Sequence, residues 1–360
     1  MLVMKKLIVL MLLAGFILAL TAAPASAAQA AQTDKKTDKK EEKHQPVKVF
    51  IPKEVKEPMV AGMAAKQARL DIPFVVFKTL YLPAKQAFHS MFVLKIKNSD
   101  LGFAPAAAQV VDPAAPAAAP KLKAVFNVFV AFYKVENDKP TTLVKEIYIP
   151  AAVEADQTGF DPAKEEWYTV GYPLMPGNYL ASIAVVSQDL KKIGIQYVDV
   201  KLPDPKSFTT ALDTTPIFFN SEYKQLDTPE NKTELHKGSL RYSVLQMTPN
   251  IENVFSVGDN LDMIFYIFGT QPKDNGKYEI EINFEVFQGD KTAIKYATGN
   301  FESPLISLPL QMKQPLQIKK GEETRTEDRD LPAGSYTLVL KITDKVSGLK
   351  CEKKVDFTVK

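Results

Sequence analysis

The chain reads as an all-β protein, with two tandem immunoglobulin-like β-sandwich domains behind a signal peptide and a disordered tether. Three observations lead there. A turn, a Tyr and a period-2 apolar run occur twice, as Leu174, Gly177, Tyr179, Ala181, Ile183, Val185 and as Leu331, Gly334, Tyr336, Leu338, Leu340, Ile342. The copies lie 157 residues apart and align without a gap through Val198, Asp199, Val200, Leu202 and Val355, Asp356, Phe357, Val359, which marks a duplication. Each half also divides into about seven β-rich runs separated by turn residues, the pattern of an immunoglobulin-like sandwich.

Residues 1–27 have the parts of a secretory signal: Lys5 and Lys6, an apolar core from Leu7 to Leu20, and small residues ending Ala25-Ser26-Ala27. That core is short of the roughly 20 apolar residues a spanning helix needs. Cleavage is expected after Ala27, with Ala28-Gln29-Ala30 as a second candidate site, and the protein is expected to be periplasmic or secreted. No Cys lies near the site to carry a lipid anchor. Residues 28–65 come next as a disordered or weakly structured tether, because Lys35 to Lys43 alternates charge and Pro52 and Pro58 interrupt the residues beyond it. Within it, Val47 to Ile51 suits an edge strand and Val60 to Ala68 shows a trace of helical period.

The first domain is expected over residues 66–203. Strands are expected at Ile72 to Leu82, Phe88 to Lys97, Lys121 to Val135, Thr141 to Ile149 and Glu165 to Tyr172, then at the repeated pair ending at Leu202. An Ala/Pro-rich loop over 104–120 interrupts them, since its prolines block both a helix and a central strand. Residues 204–238, with Pro205, Pro216 and Pro229, are expected to form an inter-domain linker. The second domain, 239–360, repeats the order, with Asp259 to Phe268 matching the Phe88 strand and the turn Gln288 to Lys291 replacing Glu136 to Lys139. Further strands are expected near Thr292 to Ala297, Leu305 to Leu310 and Leu316 to Thr326.

The repeated Leu-x-x-Gly-x-Tyr has a mechanical reading. A Tyr at the start of the penultimate strand of such a sandwich returns its hydroxyl to upstream backbone, and Tyr179 and Tyr336 suit that corner, with Gly177 and Gly334 providing the turn. The alternative is a pair of ordinary turns, each with a strand Tyr behind it. In the linker, Phe218 and Phe219 are expected to dock against one of the sandwiches, with a partner-binding anchor as the alternative; being adjacent in an extended segment they point to opposite sides, so one docked ring leaves the other to the neighbouring domain or a partner.

Chemistry is sparse. Without Lys5 and Lys6 the formal charge falls from +3 to +1, which offers no general attraction to nucleic acid or anionic lipid. A lone Cys351, with the parity of Val355 and Phe357, reads as a buried hydrophobe and excludes an internal disulfide. His44, His89 and His236 share no metal-ligand spacing and flank no nucleophile motif, so catalytic, cofactor and metal residues are all expected to be none. Asp259, Asn260, Asp262, Asp274, Asp328 and Asp330 suit Ca²⁺ loops or plain turns, and turn chemistry is the better supported. Trp167 and Tyr168 are neighbours in one strand, so only one of them faces outward.

The ending Leu331 to Asp344, Gly348-Leu349-Lys350 and Val355-Asp356-Phe357-Thr358-Val359 resembles the last hairpin of exported bacterial β-sandwich modules, similar to those accompanying GWxTD-type proteins. The GWxTD motif itself is absent. The resemblance implies fold and compartment and assigns no activity. The expectation is therefore a non-enzymatic protein-interaction or structural module of the bacterial cell envelope, whose partner is another envelope or extracellular protein. The alternative is a carbohydrate or cell-surface binding module of adhesin type. Coplanar exposed aromatics would mark a glycan site, and an apolar patch or open edge strand a protein site.

Overall fold

A computed structural model describes residues 51–106, 120–229, 232–320 and 323–360. The expected signal peptide, residues 28–50 of the tether and the centre of the 104–120 loop lie outside them. What is described is nearly all β. No described helix is long and apolar enough to cross a membrane.

The first sandwich faces a six-stranded sheet against a four-stranded one. The larger sheet runs Arg69–Leu70, Ile193–Leu202, Gly177–Ser187, Lys121–Glu136, Ala104–Pro105, with Lys139–Asp156 also on Lys121–Glu136. The smaller runs Leu235–Lys237, Glu165–Leu174, Ala87–Lys97, Phe74–Ala84. Alternation builds the core between them: Val128 and Val130 meet Ile183, Val185, Phe92, Tyr168 and Val170. Asn137 and Asp138 take φ of 51° and 61°, the left-handed pair that a two-residue hairpin turn demands.

The second sandwich repeats this plan. Ile280–Gln288, Gly334–Asp344 and Lys350–Val359 form the centre of one sheet, and Asn260–Phe268, Phe218–Gln225 and Leu245–Asn250 that of the other, with Leu305–Gln311 on Asn260–Phe268. The closing hairpins are register copies. Gly177 pairs with Leu202 and Tyr179 with Val200, as Gly334 pairs with Val359 and Tyr336 with Phe357. Every later pair keeps the same 157-residue offset. Leu316 to Thr326, expected as one strand, instead divides between the two arms of a separate hairpin, Lys313–Lys320 and Glu323–Asp330.

Two expectations are corrected. Lys53–Met63 of the expected tether is an α-helix, because Ile51, Val55 and Met59 recur at a stride of four and share one face. That face is buried on Phe129, Ala131, Ala184, Val186, Ile193 and Ile195 of the larger first sheet, while Tyr197 Oη donates to Met59 O at 2.7 Å. Residues 204–238, expected as a linker, are mostly sheet. Asp213–Thr214 and Phe218–Gln225 belong to the second sandwich, and Leu235–Lys237 pairs with Glu165–Leu174 of the first. Short apolar runs between prolines suffice for strands once a neighbouring edge supplies the hydrogen bonds.

Residues 51–360 form one compact unit containing the two cores. The cores are bridged by Phe268, the last residue of the Asn260–Phe268 strand, whose ring packs within the first core, edge-on to Phe88 at 5.8 Å and stacked on Phe208 at 5.0 Å. Polar contacts tie the same junction: Lys78 Nζ donates to Ile251 O at 2.9 Å, Thr169 Oγ1 to Ser239 O at 2.6 Å, and Tyr242 Oη to Pro83 O.

Candidate interaction site

The residues singled out from the sequence turn out to be architectural. Tyr179 Oη donates to Met175 O at 2.9 Å and Tyr336 Oη to Pro332 O at 2.8 Å, each reaching four residues upstream. The two glycines differ: Gly177 has φ of +143°, whereas Gly334 has no positive φ. What they share is the Tyr side chain two residues on, whose hydroxyl oxygen lies 3.5 Å from where a Cβ would stand at either position.

Phe218 and Phe219 do point to opposite sides of a strand, but neither ring is left for a partner. Phe219 lies in the second core against Phe255 and Phe357, and Phe218 is only 1% exposed. Docking on a sandwich holds for both rings and the partner-binding alternative fails, because their strand is interior, paired with Asn260–Phe268 on one side and Leu245–Asn250 on the other.

Of the other residues named from the sequence, Cys351 and Asp259 make structural contacts. Cys351 packs against the second core, and burial raises its thiol to about 11, far from a reactive thiolate. Asp259 accepts from Ser256 N at 2.7 Å, and Asp344, fully buried, accepts from Gln271 N at 3.0 Å and from Ser347 Oγ at 2.6 Å. These carboxylates hold turns. Among the described residues no three His, Cys, Asp or Glu gather to hold a metal ion.

Two features that the sequence did not single out remain open to solvent. The first is the Lys139–Asp156 strand, 18 residues long, which pairs with Lys121–Glu136 and with no second strand among the described residues. Its inner residues Ile147, Ile149, Ala151 and Val153 are in the core, while Leu143, Val144 and Tyr148 are exposed, at 39%, 48% and 43%. Tyr148 is held in place, stacked on Phe129 at 5.1 Å with its hydroxyl donating to Asn127 Oδ1 at 3.0 Å.

The second is a cleft of about 370 Å³ at the junction of the sandwiches, lined by Trp167, Lys95, Glu165, Asn250 and Glu252 among others. Alternation resolves the Trp167/Tyr168 choice: Tyr168 is fully buried in the first core, and Trp167 turns outward into the cleft. Lys95 Nζ meets Glu252 Oε1 at 2.5 Å and sits 3.9 Å from the centroid of the Phe77 ring. That ammonium donates to Glu252 and holds its carboxyl below the usual range.

No protein-family model and no curated protein matches the chain. Solved structures with similar strands include trypsin-activated alpha-2-macroglobulin from Escherichia coli, at 10% identity over 74% of this chain and 20% of that one, with a TM-score of 0.20. A Salmonella alpha-2-macroglobulin mutant matches at 9% identity over 81% of this chain and 16% of that one, with a TM-score of 0.14. The chain thus spans about a fifth or less of either protein. At such TM-scores the likeness carries neither arrangement nor activity across.

Proposed function

We propose that this is a non-enzymatic, exported interaction or structural module of the bacterial cell envelope, which engages protein by strand addition at Lys139–Asp156. The observation that carries the reading is the free edge of that strand. Among the described residues nothing pairs with its outer side, which leaves a row of backbone groups beside Leu143, Val144 and Tyr148, and strand addition uses such a row for affinity and the side chains for specificity. Export rests on the signal-like first 27 residues. A photo-crosslinking residue placed at Tyr148 is expected to form adducts in the intact envelope, with a control at Lys354 on the charged face giving none. Adducts from Lys354 alone would overturn the proposed site.

A second reading, glycan binding, has the cleft in its favour, since an indole beside two carboxylates and an amide suits the apolar face and hydroxyls of a sugar. Trp167 is the only Trp, so its fluorescence reports that cleft alone. Titration with soluble peptidoglycan fragments should change that emission if this reading holds, and leave it constant if the edge is the whole site.

A further inference from the structure

Resting on the strand-addition reading, we infer that the occupant of the Lys139–Asp156 edge is a second copy of this chain, paired antiparallel about a two-fold axis near Tyr148. The strand is complementary to itself at its ends. Lys139 stands at one end and Asp156 at the other, with Lys145 three residues before Tyr148, while Glu146 is matched internally by Lys56 at 2.7 Å and the exposed Glu154 by Lys121 at 3.2 Å. Antiparallel pairing about the centre sets the basic end of each copy beside the acidic end of the other. A parallel pair would oppose like charges.

The apolar residues obey the same symmetry. Leu143 and Val144 stand four to five residues before Tyr148 and Ala152 four after it, so each copy's exposed aliphatic pair falls beside the other's small Ala152. The two Tyr148 rings, already fixed by Phe129 and Asn127, meet at the axis. Pairing consumes the edge in both copies, so the assembly closes at two. Pro140 and Pro150 lack N–H groups, which weakens the pair and makes it reversible rather than an open-ended sheet.

Sedimentation velocity of the purified full chain over a wide concentration range tests this. The expected result is a monomer–dimer equilibrium. Lys139→Glu with Lys145→Glu should sediment as a monomer, and so should Glu154→Lys with Asp156→Lys, each with the circular dichroism of the parent. An equimolar mixture of the two variants restores opposite charge at both ends and should recover the dimer, a rescue that misfolding cannot imitate. A parent that stays monomeric throughout, or a dimer indifferent to both charge reversals, overturns the inference. A monomeric parent that still forms adducts from Tyr148 with other envelope proteins also overturns it while leaving the strand-addition reading intact.

Discussion

On the outer face of its hairpin sheet the first sandwich places Phe129, Ala131, Ala184, Val186, Ile193 and Ile195, where the second places Asn283, Glu285, Lys341, Thr343, Lys350 and Glu352. The positions correspond because the ladders do: Val128 faces Val185 as Ile282 faces Ile342, and Ala184 faces Ile195 as Lys341 faces Glu352. In the second copy the face meets water through ion pairs, Lys341 with Glu285 and Lys345 with Glu281, both at 2.8 Å. In the first it is dry under the Lys53–Met63 helix. One hairpin register thus supports two surface chemistries, and the chemistry decides what covers the sheet. The inner faces, which set the fold, stayed apolar in both copies.

The comparison breaks most sharply if a second-copy charge is moved into the first copy. Ala184→Lys installs the Lys341 side chain where the helix lies, and an unpaired buried charge costs about 3 to 5 kcal/mol. Urea denaturation should show that loss, and limited proteolysis should show cleavage within residues 53–63 as the helix lifts. The reverse change, Lys341→Ala, removes a half-exposed lysine from Glu285, which is largely covered but keeps Lys295 at 3.7 Å, and should cost no more than about 1 kcal/mol. Similar losses for both variants would mean that the two faces are not distinguished by burial.

Truncating the helix side of the contact sharpens the same point. Met59 is 1% exposed beneath the helix, so Met59→Ala should cost about 2 to 5 kcal/mol, near the low end because the helix rim can settle into the space. Hydrogen exchange separates the outcomes: faster exchange confined to Lys53–Met63 and the strands beneath it is expected, and uniform acceleration would place Met59 in the global core.

How much of this was legible depends on which neighbour a residue needs. The closing hairpins were readable because turn, Tyr and alternation are local, and Asn137-Asp138 announces its own turn. The covered face also left a trace: Leu180 to Val186 runs Leu-Ala-Ser-Ile-Ala-Val-Val, near-continuously apolar, whereas Leu338 to Asp344 alternates with Lys341 and Thr343. A strand apolar on both sides needs two covers, and only one is the opposing sheet. The helix that supplies the other cover leaves a weak sequence signal because Pro52 and Pro58 obscure the stride of Ile51, Val55 and Met59. Phe218 and Phe219 read as a linker because the residues that pair with them lie 31 to 46 positions away in sequence. Strand order is likewise a non-local property, so the free edge at Lys139–Asp156 has no signature in its own residues.

The corner tyrosines test whether the copies remain equivalent where their inner faces agree. Tyr179→Phe and Tyr336→Phe each delete one hydroxyl bonded to the exposed residues Met175 and Pro332, whose carbonyls water can reach, so each should cost about 1 kcal/mol. Matching shifts in denaturation midpoint are expected. A larger loss for Tyr336, which also stacks on Phe357 at 5.5 Å, would show the second corner bearing more of its sandwich than the first.

The smallest expected effect lies at the junction, where the copies are joined rather than compared. Glu252 of the second sandwich meets Lys95 of the first, and its carboxyl is held below the usual range chiefly by the Lys95 hydrogen bond. A carboxylate with a lowered folded-state value stabilises above the ordinary carboxylate range, and that contribution is lost as pH falls through the folded-state value. Glu252 is more than half exposed, so solvent screening keeps the pair to at most about 1 kcal/mol. Glu252→Gln should therefore lower the urea midpoint slightly at neutral pH, and the gap from the parent should close in acid, where both side chains are neutral. A gap that persists in acid would assign the loss to packing in the cleft beside Trp167 and not to the ion pair. A gap that also shrinks in high salt at neutral pH would fix its origin as electrostatic.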